Sequence, residues 1–87
     1  MYFVRLLGTA SKDLAKLDKP VARRIVERVH RLADNVADAD LEALTGGFEG
    51  LYKLRVGDYR VVYELIHGER LIVIHAIGHR RDIYRKR

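Results

Sequence analysis

Residues 51 to 77 constrain the fold more than any other part of the chain. Three runs of alternating apolar and polar residues, about 51–57, 59–66 and 70–77, follow one another with only "VGDY" and "HGER" between them. Period-two alternation is the mark of strands with one buried side, and connections this short favour antiparallel neighbours. In the first run Tyr52, Leu54 and Val56 share one side, and Lys53 and Arg55 the other. In the second, Tyr59, Val61, Tyr63 and Leu65 share one side, with Arg60 opposite them. If the apolar sets face a core, Lys53, Arg55 and Arg60 share the open face, with little in the sequence around them to neutralise their charge. Like charges so placed repel, so an anion is the natural ligand of that face.

The preceding residues supply what such a sheet needs to pack against. "YFVRLL", residues 2 to 7, is short, apolar and rich in β-formers, which predicts a strand, central because only Arg5 interrupts it. Gly8 and Thr9 break it, and Ser11 is a candidate cap for a short helix burying Leu14, Ala15 and Leu17. Asp18 is a second candidate cap, with Pro20 tolerated in the first turn. From there Ala22, Ile25, Val29, Leu32, Ala33 and Val36 recur at spacings of three and four, which predicts an amphipathic helix of about four turns. Its other side, with Arg23, Arg24, Glu27, Arg28, Arg31 and Asp34, reads as a solvated surface. Residues 35 to 50 are acidic and end in Gly46, Gly47 and Gly50, which reads as a connecting stretch. The order β-α-α-β-β-β predicts an α+β fold: a small, twisted, mainly antiparallel sheet with two helices packed on one face.

Composition narrows the classes of function. At 87 residues, a third of them charged and nearly half apolar, the chain is expected to form a single domain, 1–87. There is no cysteine, which excludes disulfides and thiolate metal sites and fits a reducing cytoplasm. No apolar run approaches the roughly 20 residues of a membrane helix, and the first residues do not read as a signal peptide. Net charge is +5, and its placement is uneven. Residues 1 to 50 hold eight Lys or Arg and eight Asp or Glu, whereas residues 51 to 87 hold nine and four. A one-sided field of this kind fits a polyanionic partner such as RNA, DNA or an acidic protein segment, and equally a basic surface kept for solubility.

From residue 44 onward, "LTGGFEGLYKLRVGDYRVVYELIHGERLIVIHAIGHRRDIYR" resembles the RelE superfamily of bacterial and archaeal toxins. "LYKLRVGDYRVVY" followed by "GHRRDIY" carries the likeness at the level of motif, and the N-terminal strand and helices fit it at the level of topology. The resemblance implies the toxin of a type II toxin–antitoxin pair, an endoribonuclease that cuts messenger RNA in the ribosomal A site without metal or other cofactor. It implies a RelB-like antitoxin partner in a hetero-oligomeric complex, and a cytoplasmic location with no membrane association. The related ParE branch shares the fold, poisons DNA gyrase and lacks much of the basic set, so a gyrase inhibitor is the alternative reading, with a non-catalytic member of the fold as a third. Carried over by residue, the resemblance assigns Lys53, Arg55, Arg60, Arg80 and Tyr84 to catalysis, and His79, Arg81 and Arg85 to RNA contact. The match is loosest at Tyr84, because the best-studied type has a longer spacer after the residue that Arg80 matches, and a further C-terminal helix.

Cutting RNA without metal requires its 2′-hydroxyl to attack the adjacent phosphorus in line. A base for that hydroxyl, positive charge on the phosphate oxygens and an acid for the leaving 5′-oxygen all help. Arginine keeps its proton and cannot be the base. Lysine can, where neighbouring cations lower its pKa from about 10.4. That makes Lys53 the candidate base, with Tyr84 the alternative. Arg55 and Arg60 are then candidates to hold the phosphate, and Arg80 to stabilise the leaving group. His79 is a candidate proton carrier. His30 and His67 read as surface residues, His75 as a hydrogen-bonded core residue, and Asp82 as an ion-pair partner of a nearby arginine.

Overall fold

The computed structural model describes residues 1–84. Strands β1 (Phe3–Leu6), β2 (Glu42–Ala43), β3 (Tyr52–Val56), β4 (Tyr59–Ile66) and β5 (Leu71–His79) form one sheet in the order β1-β5-β4-β3-β2. β1 runs parallel to β5, and every other pair is antiparallel. Helices α1 (Gly8–Ala15) and α2 (Lys19–Asp34) lie on one face. The α+β expectation holds, and the sheet has one strand more than the sequence reading counted.

The core forms where the two periodicities meet. Ile25, Val29, Leu32 and Ala33 are the buried positions of α2, spaced as one helical face. Ala10 of α1 joins them against Val56, Val61, Tyr63, Ile72, Ile74 and Ile77 of the sheet. Each fully buried Ile or Val in that set contributes roughly 1.5–3 kcal/mol by leaving water. Asp18 occupies the N-cap position of α2 with Pro20 in the first turn, but its carboxylate makes no capping hydrogen bond. No described helix is long and apolar enough to cross a membrane.

Several boundaries differ from the sequence reading, each for a physical reason. β1 is an edge strand and not a central one, with Phe3 72% exposed. Its apolar character reflects a single buried side, on which Val4 and Leu6 pack against the core. Gly8 starts α1 where a break was expected, and Ser11 lies inside the helix and does not cap it. α1 begins early because β5 outruns β1 and its free edge needs partners. Leu7 N–H donates to the Ile74 carbonyl (3.0 Å), the Thr9 hydroxyl to the His75 carbonyl (2.9 Å), and Ile77 N–H to an Asp13 carboxylate oxygen (3.0 Å). These bonds satisfy polar groups that would otherwise form an open sheet edge.

β5 also carries a bulge. Val62 pairs with Ala76 and Tyr63 with Ile74, leaving His75 as the extra residue. Core-facing positions on β5 therefore run Ile72, Ile74, Ile77, and the phase shifts by one residue.

Tyr63 is 1% exposed and stacks on Tyr52 at 5.6 Å. Burial, reinforced by Tyr52 and the Glu42 carboxylate, pushes its hydroxyl up from 10.0 to about 12. A folded-state value above the unfolded one means that this contribution is intact below about pH 10 and is lost as the pH rises through about 12. At about 1.4 kcal/mol per unit, wild type should lose on the order of 2–3 kcal/mol more than Tyr63→Phe across that window. Paired denaturant titrations at pH values bracketing it measure the difference.

Candidate functional site

β3 and β4 are joined by the two-residue turn Gly57-Asp58. Gly57 has φ +60, a left-handed conformation that glycine adopts without penalty and that tight hairpins require. The turn fixes the register: Arg55 lies opposite Arg60, and Lys53 opposite Val62. Because Leu54 pairs with Val61 and Tyr52 with Tyr63 in the core, the three cations lie on the face away from the helices. The alternation reading holds for all three.

The turn also ties two of the arginines together. The Arg60 guanidinium donates from one nitrogen to the carbonyls of Gly57 and Tyr59, both at 2.9 Å. Arg80 N–H donates to the Asp58 carbonyl at 2.8 Å, and its guanidinium stands 3.8 Å from the Asp58 carboxylate. Arg60 and Arg80, 20 positions apart, are thus anchored on one turn, Arg60 on Gly57 and Tyr59 and Arg80 on Asp58 between them.

The cations are not left without counter-charge, which corrects the sequence reading. Glu42, on the short strand β2, stands opposite Lys53 in the register. Its two oxygens accept from Arg55 at 2.9 and 3.1 Å, and one lies 4.0 Å from the Lys53 ammonium. The Arg55 pair is the planar, two-bond geometry that arginine favours. Arg80 is matched by Asp58, so the carboxylate partner of the tail is Asp58, and Asp82 makes no ion pair among the described residues. Of Lys53, Arg55, Arg60 and Arg80, Arg60 alone has no ion pair among the described residues. Sequence reasoning missed Glu42 because a two-residue strand carries no periodic signal.

After β5 the chain turns back over the sheet. Asp82 and Ile83 N–H donate to the His79 carbonyl at 2.9 and 3.0 Å. Ile83 is 1% exposed and sits against Gly78, where an added Cβ would lie 3.3 Å from its Cδ1. Gly78 pairs with Arg60, so Ile83 covers the cation-bearing face beside Arg60. This is why Val62, on that face, is buried outside the main core. Tyr84 follows, with its ring 5.9 Å from that of Phe48.

His79, a candidate for RNA contact and proton transfer, lies apart from the cation row. It pairs with Tyr59 and meets that ring edge-on at 5.5 Å, which puts it on the helix-facing side. Its Nδ1 accepts from Arg81 N–H at 3.2 Å. Arg81 is exposed at the turn, and Arg85 lies outside the described residues. His67 is exposed as expected, yet it is held by the Tyr2 hydroxyl at 2.7 Å. His75 is half-buried, with Nε2 3.0 Å from Glu64 Oε1, hydrogen-bonded as expected but off the core.

The comparisons with known proteins assign this five-stranded sheet, with helices on one side and a cation row on the other, to a class of small toxin proteins. A family model for the ParE toxin of type II toxin–antitoxin systems, parDE, matches residues 4–84. Toxin RelE of Mycobacterium tuberculosis is 36% identical over 84 residues, covering 97% of this chain and 87% of that protein. Toxin RelG of the same organism is 32% identical over 91 residues, covering 98% of each. Among solved structures, the toxin–antitoxin complex RelBE2 from M. tuberculosis matches with a TM-score of 0.82 at 29% identity, over 93% of each chain. The archaeal RelE–RelB complex from Pyrococcus horikoshii matches at 0.74 and 30% identity, over 91% of this chain and 94% of that one. The chain belongs to the ParE-toxin family of type II toxin–antitoxin systems, within the RelE/ParE superfamily.

Proposed function

We propose that this chain is a cytoplasmic, RelE-like endoribonuclease toxin that cuts messenger RNA on the ribosome. The observation that carries the reading is the anchoring of Arg60 and Arg80 on one turn, beside Lys53 and Arg55 on the same face. Arg60, free of any acidic partner among the described residues, takes the scissile phosphate, with Arg55 joining it. Lys53 accepts the 2′-hydroxyl proton as the oxygen attacks phosphorus in line. Arg80 stabilises the leaving 5′-oxygen, which takes its proton from water to become a 5′-hydroxyl, and the reaction uses no metal. Tyr84, leaning on Phe48, serves better as a stacking surface than as the base. Arg81 and Arg85 extend the contact along the RNA backbone. His79 supports the turn through Tyr59 and Arg81, and proton transfer is not assigned to it.

The RelE relatives are known in complex with RelB, and a RelB-like antitoxin is proposed here as the neutralising partner in a hetero-oligomer. Glu42 marks where such a partner could act electrostatically, since one carboxylate already engages Arg55 and Lys53. Glu42→Gln should release both cations. RNA-oligonucleotide affinity at low salt should rise several-fold and the salt slope should steepen by about 0.7 per added phosphate contact. Stability should change by less than about 1 kcal/mol, because the pair is solvent-exposed. Oligonucleotide titrations across a salt series check both.

The second reading, a gyrase inhibitor, is favoured by the ParE family match and by the partial neutralisation of the cation row. Adding the purified protein to a cell-free translation system, with a parallel gyrase supercoiling assay, separates the two. Cuts within ribosome-bound codons support the nuclease. Lost supercoiling with intact messenger RNA supports the inhibitor.

A further inference from the structure

Beside the cation row lies a cleft of about 710 Å³ between α1 and the face away from the core, within the roughly 300–1,000 Å³ typical of small-molecule sites. Val62, the cross-strand partner of Lys53, lines it, so the cleft opens about one strand spacing from the proposed base. It holds a Glu64–His75 pair together with the rings of Phe48 and Tyr84.

The Glu64–His75 pair is a product of the β5 bulge. Without the extra residue, His75 and Ala76 would point to opposite faces. With it, both leave the core side, and His75 Nε2 meets Glu64 Oε1 at 3.0 Å. The Thr9 hydroxyl pins the His75 carbonyl at 2.9 Å and holds the bulge. The carboxylate is thereby oriented from one side, and Oε2 has no protein partner among the described residues. The two rings come from different segments, the 44–51 loop and the C-terminal turn, and offer aromatic surface beside it.

We propose that this cleft is a nucleobase subsite, in which Phe48 and Tyr84 stack a base next to the scissile phosphate and Glu64, oriented by His75, reads its donor edge. A carboxylate accepts and cannot donate, so it repels a phosphate and turns away the carbonyl-rich edge of uracil. Guanine, with adjacent N1–H and N2–H donors, matches both oxygens. Splayed bases stacked on aromatic rings and read on their Watson–Crick edge are the general mode of single-stranded RNA recognition. The subsite rests on the endonuclease reading for its place beside the phosphate.

Two measurements on the full chain test it. In calorimetric titrations, guanosine 5′-monophosphate should bind at least about tenfold more tightly than uridine 5′-monophosphate, and Glu64→Gln should abolish that ratio. Equal affinities in wild type, or a ratio that survives in a Glu64→Gln protein with native circular dichroism and melting, would overturn the proposal. Codon-resolved cut maps of the same two proteins keep the two readings apart. Cutting with the same codon spectrum in both removes the subsite and keeps the nuclease. A guanine preference with no cutting under any condition keeps the subsite and removes the nuclease.

Discussion

Arg60→Ala is expected to lower ribosome-dependent mRNA cutting at least about a hundredfold while leaving the fold in place. A single pre-organised donor to developing negative charge is worth about 10²–10³ in rate, and Arg60 is the cation of the row that no described carboxylate engages. The structural cost is small. Its guanidinium closes two hydrogen bonds onto Gly57 and Tyr59, each worth roughly 0.5–1.5 kcal/mol net. The Gly57 carbonyl sits at an exposed turn where water can replace the arginine. Melting should fall by several degrees, at about 4–8 °C per kcal/mol for a domain of this size. Arg60→Lys keeps the charge, loses the planar fork and should fall between. Cutting at the wild-type rate in Arg60→Ala would take the phosphate-binding role away from this residue.

The second large effect is expected at a residue that carries no charge. Ile83→Ala should cost about 2–4 kcal/mol, the range for emptying a buried aliphatic site, and should lower cutting by at least about tenfold in molecules that remain folded. Ile83 is the hydrophobic contact by which the C-terminal turn grips Gly78. That turn sets the approach of Arg80 to Asp58 and of Tyr84 to Phe48. Denaturant unfolding gives the stability term, and single-turnover cutting below the melting transition gives the activity term. A stability loss with wild-type cutting would show that the turn does not position Arg80. Gly78→Val attacks the same contact from the sheet side, and should displace Ile83 with a similar activity loss.

Period-two alternation and helical periodicity made much of the fold legible before any coordinates. Lys53, Arg55 and Arg60 fell on one face because the Gly57-Asp58 turn leaves the alternation uninterrupted on both strands. α2 was legible because Ile25, Val29, Leu32 and Ala33 mark one stripe over about two turns. What escaped had no periodic trace. Glu42 lies on a two-residue strand, 13 positions before the arginine that it grips, so its pairing is set by tertiary packing alone. The bulge at His75 shifts the strand phase by one residue, and an apolar run containing a histidine does not announce such a shift. His79 lies on the helix-facing side because the last residues of β5 follow the bulge and take its shifted phase. β1 looked central because short apolar strands read alike at an edge and in the middle of a sheet.

The corrected site is less exposed than the bare cation row implied. Glu42 and Asp58 stand against three of the four cations, and Ile83 of the C-terminal turn packs on Gly78, the strand neighbour of the fourth.

End-group analysis of messenger RNA cut on programmed ribosomes tests the central claim most directly. Attack by the 2′-hydroxyl with expulsion of the 5′-oxygen leaves a 2′,3′-cyclic phosphate on one fragment and a 5′-hydroxyl on the other. Those ends, within the ribosome-bound codon, are expected for wild type and not for Arg60→Ala. Fragments with 5′-phosphate ends, or intact messenger RNA alongside lost gyrase supercoiling, would contradict the claim.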